Sequence, residues 1–341
     1  MSFLQEKMRF PGSQWIVGYV LPILLFALFL LLQGVNPIAT FGNMISSVFG
    51  DFYGFGEVII MTTPFILTAL ATVIPARAGL VNVGGEGQLA IGALTSTIAA
   101  VFLIDGWPMW IGLPLLMIFG ALGGMIWAGI AAVLKAKSGM NETITTLLLN
   151  YIAFYTLAFF VHGPLKDPTS FNWPHSPELS DSLRLPTIPG SRIHIGIVIA
   201  IVIAVGMYFL FKKTRWGFYL KIVGGNPIAA FQSGFKVNKL QFWALVMGGA
   251  IAGLAGMIEV TGIEGRLRQT TGVDYGYLGF LAAWMARNHP IGIIFTALII
   301  GMISVSGNSM EMTAGLPASV VHILMALVLF GILAMGRKSK S

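Results

Sequence analysis

The sequence predicts an all-α protein that crosses a membrane many times, and three observations carry that reading. No charged residue occurs between Arg9 and Asp51. Uncharged apolar runs then recur at 58–76, 87–104, 106–134, 143–161, 195–211, 240–258, 275–286, 288–310 and 312–336. Hydrophobic residues make up 56% of the 341 residues and charged ones only 10%, against about 25% charged in an ordinary soluble domain. An apolar run of about 18 residues reads as a spanning helix, because roughly 20 residues rising 1.5 Å each cross the hydrocarbon.

About ten spans are expected, at 15–33, 57–76, 88–104, 110–134, 143–162, 194–211, 242–263, 275–286, 291–307 and 317–335. Together with short connections they use nearly the whole chain, which reads as a single transmembrane domain over 1–341. Lys7 and Arg9 precede an apolar core longer than a cleavable signal would have, so the first span is expected to be retained. The eighth span is too short to cross as a straight helix. It is either continuous with its flanks or a broken, partly re-entrant element.

Ten spans put both termini on one side. That side carries Lys7, Arg9, Arg77, Lys135, Lys137, Lys212, Lys213, Arg215, Lys221, Lys236, Lys239, Arg287, Arg337, Lys338 and Lys340. The other carries only Lys166, Arg184, Arg192, Arg266 and Arg268. By the positive-inside rule both termini are expected in the cytoplasm. The same loading explains a net charge of +7 and a pI of 9.7, so the basicity gives no reason to expect a nucleic-acid partner. The absence of cysteine excludes disulfides, thiol catalysis and thiolate metal sites.

Two connections are long. Segment 163–193, rich in Pro and Ser, is expected outside, as a spacer over the outer mouth or a docking surface for an external protein. Segment 212–241 is expected in the cytoplasm. Within it Asn226 caps and Pro227 starts a short helix that Gly234 stops. With Gly225, Ala229 and Ala230 it forms a small-residue element suited to docking in a groove of a soluble partner.

Polar groups also stand where lipid is expected. Four glycines (Gly79, Gly84, Gly85, Gly87) fall within nine residues, and Asn82, Glu86 and Gln88 lie among or beside them. Such irregular backbone is tolerated at membrane depth only when buried in protein or lining a watery cavity. Glu86 either pairs with Arg77 or lines the pathway. Asn141 caps the fifth span. Asn150 lies too deep to cap and is either interhelical glue or a pathway group. Glu259 is expected in an ion pair at the outer rim. Gly120 with Gly124, and Gly249 with Gly253, have the small-xxx-small spacing of close helix packing. Gly272–Gly279 faintly echoes Gly79–Gly87 at the corresponding place of spans 7–10 against 2–5, as inverted repeats would have it.

Energy-coupling and catalytic signatures are missing from the chain. The five histidines are scattered, no HExxH occurs and no GxxxxGK[ST] loop is found. An ion-coupled carrier carries acids or histidines within several spans, and only Glu86 and Glu259 come close here. A polar pathway, a docking helix and no energy source of its own point to a permease driven by a separate motor. A membrane enzyme or a scaffold is the remoter reading.

At these motifs the chain resembles a known family, the permease subunits of bacterial ABC importers for simple sugars and nucleosides. Ala76-Arg-Ala-Gly-Leu-Val-Asn-Val-Gly-Gly-Glu-Gly-Gln88 is similar to the nucleoside branch's ARAGLFNIGGEGQ, and Asn141-Glu-Thr-Ile-Thr-Thr-Leu-Leu-Leu-Asn-Tyr-Ile-Ala153 to its NEVISTLMLNYIA. Gly163–Pro168, the Asn226-Pro227 segment and Arg287-Asn-His-Pro290 fit as well. Gly224-Gly225 and Ala283-Trp284-Met285-Ala286 depart from the pattern, and Trp284 could narrow the pathway.

The resemblance implies a multi-pass subunit of the cytoplasmic (inner) membrane that translocates nucleosides by alternating access. The alternatives are a ribose-type sugar permease or, more remotely, an ion-coupled secondary transporter. The chain would not be an enzyme and would bind no cofactor, ATP and Mg residing on a separate ABC ATPase. A second, related permease chain and an extracytoplasmic substrate-binding lipoprotein complete the implied complex. Asn82, Glu86, Gln88 and Asn150 are then expected in the substrate pathway, and Gly225, Asn226, Pro227, Ala229, Ala230 and Gly234 in ATPase coupling.

Overall fold

The computed structural model describes residues 18, 20–171 and 173–335. Helices account for the regular structure of these residues, and the β-pairing among them is limited to two isolated bridges, His175 with Arg268 and Thr187 with His194. The chain forms two compact units, Met1–Met61 with Leu298–Ser341, and Thr62–Ala297. Lys7, Arg9, Arg337, Lys338 and Lys340, which entered the charge asymmetry, lie outside the described residues, as does the start of the expected first span.

In the first unit, α1 (Leu21–Leu32) is followed by α2 (Pro37–Phe49) after a bend of 117°. In the sequence, 34–56 falls between the first two expected spans and reads as a connection. Its start signal is nevertheless plain: Asn36 Oδ1 accepts from Ile38 N at 3.0 Å and Ala39 N at 3.3 Å, and Pro37 supplies the fixed φ of a first helical residue. The unit also holds the start of α3 (Phe52–Arg77), the end of α12 (Pro290–Ala314) and α13 (Val321–Met335). Phe26 and Leu30 of α1 are fully buried, and α13 packs on this helix so closely that a Cβ on Gly331 would stand 2.8 Å from Pro22 Cγ.

The second unit contains α4 (Gly85–Phe102), α5 (Met109–Ser138), α6 (Glu142–His162), α7 (Gly196–Lys213), α8 (Arg215–Gly225), α9 (Pro227–Gln232), α10 (Val237–Ile258) and α11 (Tyr275–Met285). Its centre is α10, packed against α5 and α4. The glycines make this possible. A Cβ on Gly249 or Gly253 would run into the Gly124 or Gly120 carbonyl, and one on Gly92 would strike Gly253. The two small-xxx-small pairs of the sequence therefore pack on each other, backbone to backbone.

Among the described residues six helices are long and apolar enough to cross a membrane: α3, α5, α6, α7, α10 with its continuation to Glu264, and α12. The bent α1–α2 pair would make seven. These six coincide with the expected second, fourth, fifth, sixth, seventh and ninth spans. The expected third span is α4, whose Gly, Ser and Thr lower its hydropathy and whose surface is sheathed by protein over most of its length. The expected eighth is α11, at 11 residues the short element that the sequence indicated. Burial sorts the spans: 89% of the apolar window is buried in α3 and α10, but only 22% in α7. The open face of α7 carries Val198, Val202, Val205 and Phe209 at helical spacing, a surface fit for lipid.

Candidate functional site

The glycine-rich segment after α3 folds into a polar knot at the start of α4. Asn82 and Gln88 exchange two side-chain hydrogen bonds of 3.0 Å, and Asn82 Oδ1 also accepts from Gly84 N at 3.0 Å. Thr146 Oγ1 accepts from Val83 N at 3.2 Å. Asn150 Oδ1 accepts from Gly87 N at 2.9 Å while its Nδ2 donates to the Val83 carbonyl at 3.0 Å and the Tyr277 hydroxyl at 3.4 Å. All four expected pathway residues, Asn82, Glu86, Gln88 and Asn150, are buried here; Asn82 and Asn150 bind the backbone of a segment that could not satisfy itself, and Gln88 holds the Asn82 side chain in place. Gly87 is required by this geometry, since its Cβ would stand 2.9 Å from the Asn150 Cα.

Glu86 does not pair with Arg77, as the sequence reading allowed. Its Oε1 accepts from Asp274 N at 2.9 Å, and its Oε2 is buried without a partner. Arg77 instead stacks over Phe211, 4.9 Å from the ring centroid. The reason is direction: α3 ends at Arg77 and the chain turns at Gly79, φ +77°, which carries Glu86 away from it and toward the start of α11.

That start is the second glycine segment. Gly272 and Asp274 both take positive φ, 73° and 70°, and α11 begins at Tyr275. A Cβ on Gly276 would overlap the Glu86 backbone, and Thr68 Oγ1 donates to the Tyr275 carbonyl at 3.0 Å. The two segments that the sequence linked by a faint likeness thus meet at the starts of α4 and α11. Tyr277 and Thr146 also belong to this site; the glycine segment 272–279 marks Tyr277 in the sequence, whereas no local signal marks Thr146.

Glu259 also departs from expectation. It begins a π-helical turn, Glu259–Glu264, that ends α10, and it is buried rather than ion-paired at a rim. Its Oε1 accepts from the Tyr275 hydroxyl at 3.4 Å. The rim pairing belongs to Arg266 and Arg184, which hold Glu178 at 2.9 and 3.3 Å. Segment 163–193 is stitched to the stretch after α10 by Ser176 N to the Leu267 carbonyl, Leu267 N to Ser176 Oγ and Leu179 N to the Gly265 carbonyl, each 2.9 Å. Within it the backbone N–H and hydroxyl of Thr169 hold the Asp167 carboxyl below its usual range. Phe171 and Trp173 remain exposed, at 97% and 72%.

The segment expected to couple to a motor forms as the sequence indicates. Asn226 Oδ1 accepts from Ile228 N at 3.1 Å and Ala229 N at 3.0 Å, Pro227 opens α9, and Gly234 closes it at φ +85°. Gly225 ends α8, a helix not anticipated, and a Cβ on the preceding Gly224 would strike the Arg77 carbonyl, which ties α8 to the end of α3. Ala230 is buried against Val223 and Val237, while Ala229, Ile228 and Phe231 are exposed, the last two at 72% each. The outward apolar groups of α9 are therefore Ile228 and Phe231, which the small-residue pattern of the segment does not mark.

Arg287-Asn-His-Pro290 builds the reversal between α11 and α12. Arg287 and Asn288 are both left-handed, at φ 51° and 57°, His289 Nδ1 accepts from Gly292 N at 3.2 Å, and Pro290 is the first residue of α12.

Comparison with known proteins agrees with this architecture. Residues 54–333 match the family described as branched-chain amino acid transport system / permease component. The chain is 35% identical to the glucose ABC transporter permease protein TsgB13 of Haloferax volcanii, over 86% of this chain and 80% of that one. It is 33% identical to the guanosine ABC transporter permease protein NupP of Bacillus subtilis, over 92% and 90%. With the nucleoside ABC transporter permease protein NupB of Lactococcus lactis the identity is 32%, over 92% and 88%. The chain is a multi-pass membrane protein and belongs to the family of branched-chain amino acid transport system permease components.

Proposed function

We propose that this chain is the membrane-spanning subunit of an ATP-driven importer that carries nucleosides across the cytoplasmic membrane by alternating access. The observation that carries the reading is the knot of Asn82, Gln88 and Asn150, where the two irregular segments meet at the starts of α4 and α11. Broken elements of this kind mark the binding region of many transporters. Amides donate and accept at once, which suits a ribose with several hydroxyls and a base with both kinds of group. The similarity to NupP and NupB supports the same substrate class. The similarity to a glucose permease favours a second reading, a simple sugar.

The family is a transport component, so the chain is not itself an enzyme, and an ATPase and a substrate-binding protein work with it. ATP and Mg belong to that ATPase. We assign α9, with Gly225, Asn226, Pro227, Ala229, Ala230 and Gly234, to contact with it, and 163–193 to the outer side facing the binding lipoprotein. The full arrangement has about ten membrane crossings with both termini inside, spans 2–5 and 7–10 as inverted repeats, and a second, different permease chain as partner. Asn82, Glu86, Gln88 and Asn150, together with Tyr277, line the pathway when it opens.

The test is uptake of labelled purine nucleoside by proteoliposomes holding the whole complex, with ribose and glucose as competitors. Uptake that unlabelled nucleoside blocks and the sugars do not is the expected result. Strong competition by glucose or ribose alone moves the assignment to sugars. Uptake that persists after ATP depletion with the proton gradient intact marks a secondary carrier.

A further inference from the structure

A pocket of about 490 Å³ lies where three spanning helices end. Arg77 is the last residue of α3, Lys212 the penultimate residue of α7, and Pro290 the first of α12. Lys221 of α8 and His289 complete its basic lining, and no acidic residue contributes to it. Among the described residues none of these four basic groups is ion-paired. Two of the cations are held by rings: Arg77 over Phe211 at 4.9 Å, and Lys212 over Tyr208 at 5.2 Å with its Nζ donating to the Tyr208 hydroxyl at 2.8 Å. The volume falls within the roughly 300–1,000 Å³ of small-ligand sites.

Three fixed positive charges gathered without a carboxylate repel one another unless an anion joins them. The groups suit a phosphate. A guanidinium offers a planar fork to two phosphate oxygens, and ammonium groups add point charge from either side. Depth chooses the kind of phosphate. The pocket stands at the ends of membrane-spanning helices, where headgroups lie, and the Tyr208, Phe211 and Phe218 rings form an apolar wall of the sort that meets the interface. Basic pockets between spanning helices are fit for acidic headgroups.

We propose that this pocket binds the phosphate of an anionic phospholipid and thereby fastens α8, which leads directly into α9, to the membrane surface. The inference rests on the membrane reading of the chain and not on its substrate.

The test uses the full-length protein, delipidated in detergent and then offered phosphatidylglycerol or phosphatidylcholine, with retained lipid read by native mass spectrometry. Wild type is expected to retain phosphatidylglycerol preferentially. Replacing Lys212→Gln and Lys221→Gln together, both at exposed positions, is expected to weaken that retention about 10- to 30-fold and leave phosphatidylcholine unchanged. Arg77→Lys, which keeps the charge and loses the fork, should fall between. Equal retention by wild type and the double variant overturns the proposal. Displacement of the lipid by millimolar inorganic phosphate, with the same thermal stabilisation in phosphatidylcholine alone, overturns the lipid assignment in favour of a free anion. Unchanged lipid retention with loss of the co-purifying ATPase would give the pocket to an acidic protein partner instead.

Discussion

Asn150, in the third turn of α6, grips the first turn of α4 through Gly87, accepting that residue's N–H at 2.9 Å while donating to the Val83 carbonyl at 3.0 Å. One side chain thus satisfies two backbone groups of a segment with too many glycines to hold itself. Asn150→Leu leaves both groups buried and unpaired, at a cost of about 1–3 kcal/mol each. The variant is expected to melt several degrees lower and to yield less folded protein, measured by thermal shift in detergent. Unchanged melting with abolished uptake would reassign Asn150 from clamp to substrate contact.

Close packing at the centre gives a second prediction. Gly253 meets Gly92 on one side and Gly120 and Gly124 on the other, with no space for a side chain, whereas a Cβ on Gly206 meets nothing within 4 Å. Gly253→Val is therefore expected to abolish accumulation of folded protein, and Gly206→Val to leave it near wild type. Size-exclusion profiles of the two variants decide. A monodisperse Gly253→Val peak at wild-type yield would contradict the packing.

What could be read in advance follows from how local each signal is. Apolar runs, the Asn226-Pro227 cap and the glycine spacing of α5 and α10 are properties of neighbouring residues, and each reappears in the fold. The Glu86 partner was not legible in this way. Arg77 was nearest in sequence, yet Asp274, 188 residues on, supplies the hydrogen bond. Short-range chemistry favours the near partner, and only tertiary structure brings the far one. Asn36-Pro37 shows the opposite failing, a local signal of the same form as Asn226-Pro227 that a long apolar run obscured.

Contact between α9 and the ATPase supplies a third prediction. Ala230 faces inward against Val223 and Val237, so a charge there would disturb the fold of the segment as well as any docking. Phe231 is 72% exposed and can be changed alone. Phe231→Asp is expected to leave melting temperature intact and to reduce substrate-stimulated ATP hydrolysis by an order of magnitude or more. Full stimulation with the ATPase still co-purifying would remove α9 from the interface.

Topology can be tested on this cysteine-free chain. Ser176 lies in the expected outer segment but is fully buried, its Oγ accepting from Leu267 N, so it is a poor reporter despite its position. Phe171→Cys should react in intact cells with an impermeant thiol reagent, Ser176→Cys should not, and Ser233→Cys in the 212–241 segment should react only after permeabilisation. Labelling of Ser233→Cys in intact cells would reverse the orientation.

The last prediction separates the two partners offered to Glu86. Its Oε1 accepts from Asp274 N at 2.9 Å, and its Oε2 is buried with nothing to bind. A carboxylate in that position is costly to charge, since it has neither a counter-ion nor a full set of donors. Glu86→Gln keeps a carbonyl oxygen for Asp274 N and removes the charge, so it should melt at or above the wild-type temperature. Glu86→Leu removes the acceptor, strands the Asp274 N–H, and should cost about 1–3 kcal/mol. Arg77→Gln should add to Glu86→Gln without coupling, because the two side chains share no contact. A coupling beyond about 0.5 kcal/mol would restore the Arg77 pair. If Glu86→Gln folds at full yield but no longer supports uptake, the acid itself is needed while the pathway opens, and its unpartnered oxygen is the group to match against the substrate's donors.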